Sequence, residues 1–265
     1  MKKVFLSLVA VLLCGIASFA QETISISSEA DFMKIGKDLD YPADGSYSLE
    51  TNLNLGTYAT DNNFVIETFS GTFNGNDHTI TYQASFTAEN NAKIGLFGTN
   101  EGTITNLNLN ANITVGGDGA KVNIGLLCGE NTGTITFCDV TGNINSTTNA
   151  NSIGISSTGL IIGSNLGDLK YCTGHGNVTG VGYVGGLVGS MGTINVGDWF
   201  STSTGIPSGA TPLIYGCYFT GNVTANESNS WGAGTISWIN TNIKAFGGGI
   251  CGIALNPAEI NLCVA

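Results

Sequence analysis

The sequence predicts an all-β fold, a parallel β-helix in which the chain winds through stacked coils of short strands. One observation is a repeated unit, Ile124–Ile144, with the pattern Gly-Leu-Leu-Cys-Gly, Gly-Thr-Ile, Cys and Gly-Asn-Ile; it returns as Ile94–Ile113, Gly159–Val178, Gly185–Val223 and Gly248–Cys263. A second is that short apolar runs, separated by Gly, Asn and Thr, take the place of amphipathic helical spacing. Such repetition is typical of a solenoid, whose repeats bury their apolar faces against each other.

Alignment of the copies places equivalent side chains in columns along the predicted solenoid. Each copy offers three short apolar runs, so we expect three strands per coil, joined by corners. The closing Gly of the first run recurs after 31, 34, 26 and 63 residues, and a solenoid tolerates such variation by expelling extra residues as loops. Two of the columns are aliphatic: Leu96, Leu127, Ile161, Leu187 and Ile250, and Ile104, Ile135, Leu169, Ile214 and Ile260.

A polar column consists of Asn112, Asn143, Asn177 and Asn222. Asn tolerates left-handed backbone and its side chain pairs locally, so we expect these residues at corners. Stacked Asn amides are also expected to hydrogen-bond to one another along the solenoid.

The repeats resemble the GLUG motif of secreted and surface bacterial proteins, which reads close to Gly-Gly-Leu-Val-Gly, Gly-x-Ile, x-x-Cys and Gly-Asn-Val. Gly185–Gly189 and Gly221–Val223 match it closely, Gly248–Gly252 nearly so, and the resemblance covers Lys93–Ala265. Phe69–Ile80 resembles the coil that commonly precedes such repeats. The resemblance implies a right-handed parallel β-helix outside a bacterial cell, often attached to adhesins or large surface enzymes. It implies no known catalytic residue.

Residues 1–20 are predicted to form a secretory signal peptide. Lys2 and Lys3 precede the apolar run Val4–Ala17, and Ser18–Ala20 has the small-x-small pattern of a cleavage site. No second long apolar stretch follows, so no transmembrane segment is predicted. We therefore expect an exported protein, either extracellular or on the cell surface.

Residues 21–92 are predicted to form an N-terminal cap and the first coils, followed by GLUG-type repeats over residues 93–265. Thr23–Ile26 alternates like a strand, and Ser27 or Ser28 then offers an N-cap. A short capping helix is expected to cover the open end of the solenoid, with its apolar residues at helical spacing: Phe32, Ile35 and Leu39. Further strands are predicted over Tyr47–Leu55, Asn63–Glu67 and Thr79–Tyr82.

The charge balance excludes several classes of partner. All eight basic residues are Lys, and loss of Lys2 and Lys3 with the signal peptide would take the net charge from −11 to −13. Nucleic acid is excluded as a partner because its phosphates require basic contacts. Arg-type recognition of sulfated or carboxylated polymers is excluded for the same reason.

Six of the seven Cys lie beyond the signal peptide. Equivalent positions in neighbouring coils are about 4.8 Å apart, which leaves Cβ atoms farther apart than a disulfide prefers. The column Cys138, Cys172, Cys217 and Cys263 is therefore predicted to be a stack of buried thiols that act as small hydrophobes. Cys128 and Cys251 align with aliphatic residues and support that interpretation.

Catalytic groups form no recognisable constellation. His78 and His175 are expected at the surface or at corners, and the acids Glu101, Glu130, Asp139 and Asp168 are expected in solvated turns. Paired carboxylates on one face would indicate a glycoside hydrolase, and no such pair can be assembled from sequence. No metal-binding spacing such as Cys-x-x-Cys is present, and no cofactor is predicted.

The insertions carry the best candidate ligand-binding residues. All three Trp fall in two insertions, Asn195–Leu213 and Ala225–Ala245, rather than in repeat columns. Exposed aromatic rings can stack on a sugar or grip another protein, although each ring could instead pack its insertion onto the coil. The predicted contact residues are Trp199, Phe200, Trp231 and Trp238.

The predicted function is adhesion or ligand binding without catalysis, with a surface glycan or a host or bacterial protein as partner. Two alternatives stay open: a carbohydrate-active enzyme, either polysaccharide lyase or glycoside hydrolase, and a structural spacer. The last copy stops at Cys263-Val-Ala265, before its third run. This incomplete coil predicts a fragment of a longer protein, or oligomerisation through the open C-terminal coil.

Overall fold

The computed structural model describes residues 22–58, 65–119, 121–148, 156–192, 211–226, 246–254 and 258–265. Over these residues the chain forms 26 short strands and one short helix. The strands lie in four sheets, and every strand pairs in parallel with the equivalent strand of the next repeat. No helix in these ranges has the length and apolarity needed to cross a membrane.

Each repeat passes through the four sheets in the same order, which we label A, B, C and D. Sheet A consists of β7 (Lys93–Ile94), β11 (Asn123–Ile124), β15 (Ser157–Gly159), β19 (Tyr183–Gly185) and β24 (Phe246–Gly248). Sheet B consists of β4 (Ile66–Phe69), β8 (Phe97–Asn100), β12 (Cys128–Asn131), β16 (Ile162–Asn165), β20 (Val188–Met191) and β25 (Cys251–Ala254).

Sheets C and D contain the earliest strands and the longest ones. Sheet C consists of β1 (Thr23–Ile26), β2 (Ser46–Leu49), β5 (Thr72–Asn74), β9 (Thr103–Thr105), β13 (Thr134–Thr136), β17 (Asp168–Lys170), β21 (Leu213–Tyr215) and β26 (Glu259–Asn261). Sheet D consists of β3 (Leu53–Tyr58), β6 (Thr79–Thr87), β10 (Asn108–Gly116), β14 (Asp139–Ser146), β18 (Thr173–Val181), β22 (Tyr218–Thr220) and β23 (Val223–Asn226).

The expectation of three strands per repeat was wrong, because each complete repeat contributes four. The run Ile124-Gly-Leu-Leu-Cys128 looks continuous in sequence, yet it ends β11 and begins β12, and the chain turns between them. Leu126 and Leu127 in this turn are both fully buried. A strand of two residues is too short to show alternation, so the sequence pattern does not distinguish the strands of sheet A from those of sheet B.

The register of the strands agrees with the columns derived from the sequence. Ile104, Ile135, Leu169, Ile214 and Ile260 pair in succession through sheet C. The first four of these side chains are fully buried, and so are Leu96, Leu127, Ile161 and Leu187 of the other aliphatic column. One continuous hydrophobic core therefore runs through the repeats.

Three residues of the Asn column, Asn112, Asn143 and Asn177, lie within strands of sheet D and not at corners as the sequence suggested, and Asn222 lies between β22 and β23. The left-handed backbone belongs instead to the preceding glycines, with φ of 147° at Gly142 and 154° at Gly176. The Asn side chains supply hydrogen bonds between the strands at this point. Asn177 donates both its backbone N–H, at 3.1 Å, and its Nδ2, at 2.9 Å, to Oδ1 of Asn143. The expected amide ladder is thus present, and it explains the Gly-Asn pair of the repeat.

A second amide ladder is buried at the end of the sheet B strands. Nδ2 of Asn100 donates to Oδ1 of Asn131 at 2.7 Å, and Nδ2 of Asn131 donates to Oδ1 of Asn165 at 2.8 Å. All three residues are fully buried. Their mutual hydrogen bonds offset the cost of removing the amides from water.

The N-terminal segment contains the helix α1 (Glu29–Lys34), shorter than its apolar spacing suggested. Ser28 caps it by accepting a hydrogen bond from the backbone N–H of Asp31. Phe32 and Ile35 are buried, whereas Leu39 is 97% exposed and lies beyond the helix. The predicted strand Tyr47–Leu55 is divided into β2 and β3 by a turn, and the start of Asn63–Glu67 lies outside the described residues.

The thiols of the cysteine column are unpaired, as expected. Cys138, Cys172 and Cys217 are buried, Cys263 is partly exposed, and none of the described cysteines forms a disulfide. The backbone N–H of Cys138 donates to Sγ of Cys172 at 3.4 Å. Burial raises the pKa of the Cys172 thiol well above its ordinary range, so it stays protonated and packs as a small apolar group.

Substitution Gly176→Ala is expected to destabilise the protein by at least about 3 kcal/mol. The new Cβ would overlap the carbonyl oxygen of Gly142, at a φ that side chains rarely adopt. Chemical denaturation measures the loss. Gly116→Ala is the matched control, because a Cβ there meets no atom within 4 Å. Equal losses in the two variants would contradict the close approach of the strands.

Stability is expected to fall as pH rises from 9 towards 12. Burial raises the pKa of the Cys128 thiol from an ordinary 9.0 to about 12, so above pH 9 the unfolded chain loses a proton that the folded chain keeps. This group alone contributes a slope of up to about 1.4 kcal/mol per pH unit. Cys128→Val, which copies Val188 of the same column, should flatten the slope above pH 9 and leave it unchanged below, as measured by denaturation at each pH.

Candidate functional site

The turn between sheets C and D has left-handed backbone in five successive repeats. Left-handed φ favours Gly and Asn, because other side chains crowd the following carbonyl oxygen. Asn106 and Gly216 conform to this preference, and the other three positions carry large apolar side chains. The φ values are 52° at Asn106, 53° at Phe137, 54° at Tyr171, 63° at Gly216 and 53° at Leu262.

At Phe137 and Tyr171, burial of the side chain does not offset the cost of the left-handed backbone. Their side chains are 57% and 48% exposed, and left-handed backbone costs about 1–2 kcal/mol for each. The backbone ladder imposes the turn: the N–H of Phe137 donates to the carbonyl oxygen of Lys170 at 3.1 Å, and that of Tyr171 to Tyr215 at 2.9 Å. Strain of this kind concentrates at functional sites, which marks the two rings as candidates for binding.

The rings form a continuous surface that we call the aromatic ridge, consisting of Phe137, Tyr171 and Tyr215. The rings of Phe137 and Tyr171 are stacked, with centroids 5.1 Å apart and planes 9° apart. Tyr215 meets Tyr171 edge to face, with centroids 5.4 Å apart and planes 85° apart. Gly216 makes room for this arrangement, because a Cβ there would lie 2.9 Å from Cδ1 of Tyr171.

The surroundings of the aromatic ridge add further aromatic and polar groups. Tyr218, at the start of β22, is 41% exposed, and its ring centroid lies 6.0 Å from that of His175. Nδ1 of His175 shares a hydrogen bond of 2.7 Å with the Thr220 hydroxyl. Exposed aromatic surface is therefore present on the outward side of sheet D as well as at the turn.

The residues predicted from the insertions cannot be placed beside the aromatic ridge. Trp199 and Phe200 lie outside the described residues, as do Trp231 and Trp238. The ridge itself was missed from sequence. Its signal was available in the alignment, because Phe137 and Tyr171 each directly precede a Cys of the cysteine column, where the first repeat has Asn106.

Two of the four candidate acids, Glu130 and Asp168, are engaged in separate ion pairs. Glu130 faces Lys93 in an ion pair of 2.7 Å, and Asp168 accepts a 2.7 Å bond from Lys170. Glu130 pairs in register with Thr99, so Glu101 and Glu130 do not occupy equivalent positions. Among the described residues no group of three or more His, Cys, Asp or Glu is placed to hold a metal ion.

Comparison with known proteins adds nothing to this geometry: no family model, curated protein or solved structure matches the chain. The chemistry of the aromatic ridge is therefore the basis for interpretation. Exposed aromatic rings provide a large, rigid apolar surface with polar hydroxyl edges on Tyr171 and Tyr215. Such a surface can stack against the apolar face of a sugar or against an apolar side chain of a protein.

Phe137→Asn is expected to change the free energy of unfolding by no more than about 1 kcal/mol. Relief of the left-handed strain, about 1–2 kcal/mol, offsets the lost ring stacking, about 0.5–1.5 kcal/mol. Asn106 already occupies the equivalent turn of the preceding repeat. Ile135→Ala, at a fully buried neighbouring position, is the control and should cost about 2–5 kcal/mol in chemical denaturation. If Phe137→Asn lowered the free energy of unfolding by a similar amount, the rings at this turn would stabilise the fold by packing.

Proposed function

We propose that this chain is an exported or surface-displayed binding protein that recognises a glycan or protein ligand without catalysis. The observation that carries the proposal is the aromatic ridge, where two exposed rings occupy strained backbone that Asn or Gly would adopt more easily. A structural role would favour Asn or Gly at these turns. We attribute the large rings at these turns to contact with a ligand.

The scaffold that we propose is a closed right-handed β-helix of the GLUG type. The repeated passage through sheets A, B, C and D supports it, as do the Gly-Leu-Val-Gly and Gly-Asn-Val runs. In this arrangement α1 covers the first coil, with Phe32 inserted edge-on against Phe73 at a centroid distance of 6.0 Å. Residues 1–20 direct export, and the Trp-bearing insertions add contacts to the ligand.

The test compares a ridge variant, Phe137→Asn with Tyr171→Asn, with the unmodified protein on panels of immobilised polysaccharides and of surface proteins. Loss of retention is expected, by about tenfold or more, because aromatic anchors dominate binding energy in such contacts. Leu39→Asn is the matched control, because it removes a side chain that is 97% exposed and lies elsewhere. It should bind as the unmodified protein does.

Two outcomes would contradict the proposal. If the ridge variant retains every ligand while Trp199→Ala, Trp231→Ala and Trp238→Ala together abolish binding, the insertions form the site and the ridge does not. If new reducing or unsaturated chain ends accumulate on the polysaccharide panel, the protein cleaves its ligand. The carboxylates would then have to be examined by substitution.

A further inference from the structure

Across its four longest strands, the outward side of sheet D consists mainly of uncharged polar groups. We call the outward side of β6, β10, β14 and β18 the neutral face. Its outward side chains are hydroxyls and amides, apart from His175 and from Asp139 at the start of β14. Six of them are exposed and pair in register on the two central strands: Asn110, Asn112 and Thr114, and Thr141, Asn143 and Asn145.

Hydrogen bonds between repeats hold three of these side chains, Asn112, Asn143 and Thr114, in fixed positions. Nδ2 of Asn143 donates to Oδ1 of Asn112 at 2.8 Å, and the hydroxyls of Ser85 and Thr114 are 2.9 Å apart. An amide nitrogen carries two hydrogens, and the ladder uses one of them, so the other is available to a ligand. Because these three side chains are already ordered, a ligand would bind them with a smaller loss of conformational entropy.

The chemistry of the neutral face selects the kind of ligand. A protein partner would bury an apolar centre, and the outward positions of the face offer none. Acidic polymers would need basic groups, and the outward strand positions carry no Lys or Arg, on a chain with a net charge of −11. Closely spaced donors and acceptors without charge are complementary to the hydroxyl groups of an uncharged sugar chain.

The aromatic ridge borders the neutral face at the start of its strands. Phe137 lies two residues before β14, and the Asn ladder crosses that strand at Asn143. At about 3.3 Å per residue, the strand from its start at Asp139 to Asn143 spans roughly 13 Å, and the ridge lies beyond that start. A ligand that contacts both must therefore be a chain of several sugar units.

We infer that the neutral face binds an uncharged polysaccharide, whose chain runs along the strands of sheet D from the aromatic ridge to the Asn ladder. This inference rests on the proposed binding function and names its ligand class. The ridge supplies stacking at one end of the site, and the face supplies hydrogen bonds along its length. The lack of Lys and Arg on the face disfavours acidic polysaccharides.

The test measures binding of uncharged β-glucan, xylan and α-mannan, and of polygalacturonate, by calorimetry and affinity electrophoresis. Disaccharides and hexasaccharides of whichever neutral polymer binds are compared next. The face variant is Thr141→Val with Asn145→Val, which removes two hydrogen-bonding groups and keeps residues that favour strands. The matched control is Thr103→Val with Thr134→Val, which makes similar changes on paired strands of sheet C.

We expect a neutral polymer and its hexasaccharide to bind the unmodified protein and the control alike, and polygalacturonate to bind neither. The face variant should bind the hexasaccharide at least about tenfold more weakly, because two hydrogen bonds to the ligand are lost. Its affinity for the disaccharide, which reaches only the ridge, should be unchanged.

The contrary results distinguish a failure of this inference from a failure of the proposed binding function. If the ridge variant Phe137→Asn with Tyr171→Asn loses the ligand while the face variant binds it normally, the ridge is the site and the inference on the face is overturned. Equal binding of polygalacturonate, or retention of protein ligands alone, would overturn the inference and leave a binding function. Absence of binding to every glycan and protein tested would overturn both.

Discussion

Parallel pairing between equivalent strands of successive repeats is the constraint on which the structure depends. Side chains alternate across a strand, so a slip of one residue between repeats would turn each buried column towards solvent. The column Ile104, Ile135, Leu169 and Ile214 shows that this register is kept through sheet C. Stability therefore accumulates between neighbouring repeats, and each backbone ladder can impose local conformations that its residues would not adopt alone.

Two features follow from this imposed register. In sheet D the backbone at Gly176 passes too close to Gly142 for any side chain, and Asn143 then accepts the N–H of Asn177. At the turn between sheets C and D the same regularity holds Phe137 and Tyr171 in left-handed backbone. In the first case the sequence supplies the residue that the conformation requires. In the second case the sequence places large aromatic residues in a conformation that favours Gly or Asn, and these residues form the aromatic ridge.

Position in the repeat also explains why polar groups are used in two ways. Asn131 is enclosed, and its amide is satisfied by Asn100 and Asn165, so this ladder stabilises the interior. Asn143 lies exposed on the outward side of sheet D, where the ladder uses its Oδ1 and one amide hydrogen and leaves the second amide hydrogen. The same interaction thus orders side chains both in the core and on a solvent-exposed surface.

Much of the fold was determined by the sequence alone, because it depends on repeated patterns. The periodicity of the sequence predicts the aliphatic columns, the alignment of Cys128 with Val188 and the pairing of Asn112 with Asn143. The register of the strands confirms these predictions. The strand Lys93–Ile94 could not be predicted from the sequence, because alternation cannot be recognised over two residues.

The candidate site was decided by tertiary structure. Nothing in the local sequence shows that Phe137 stacks on Tyr171, a residue that lies a full repeat away along the chain, or that both rings face solvent in left-handed turns. The neutral face likewise arises only when the Asn and Thr residues of separate strands are brought side by side. The sequence specifies which side chains recur, and the register between repeats decides which of them meet and which stay exposed.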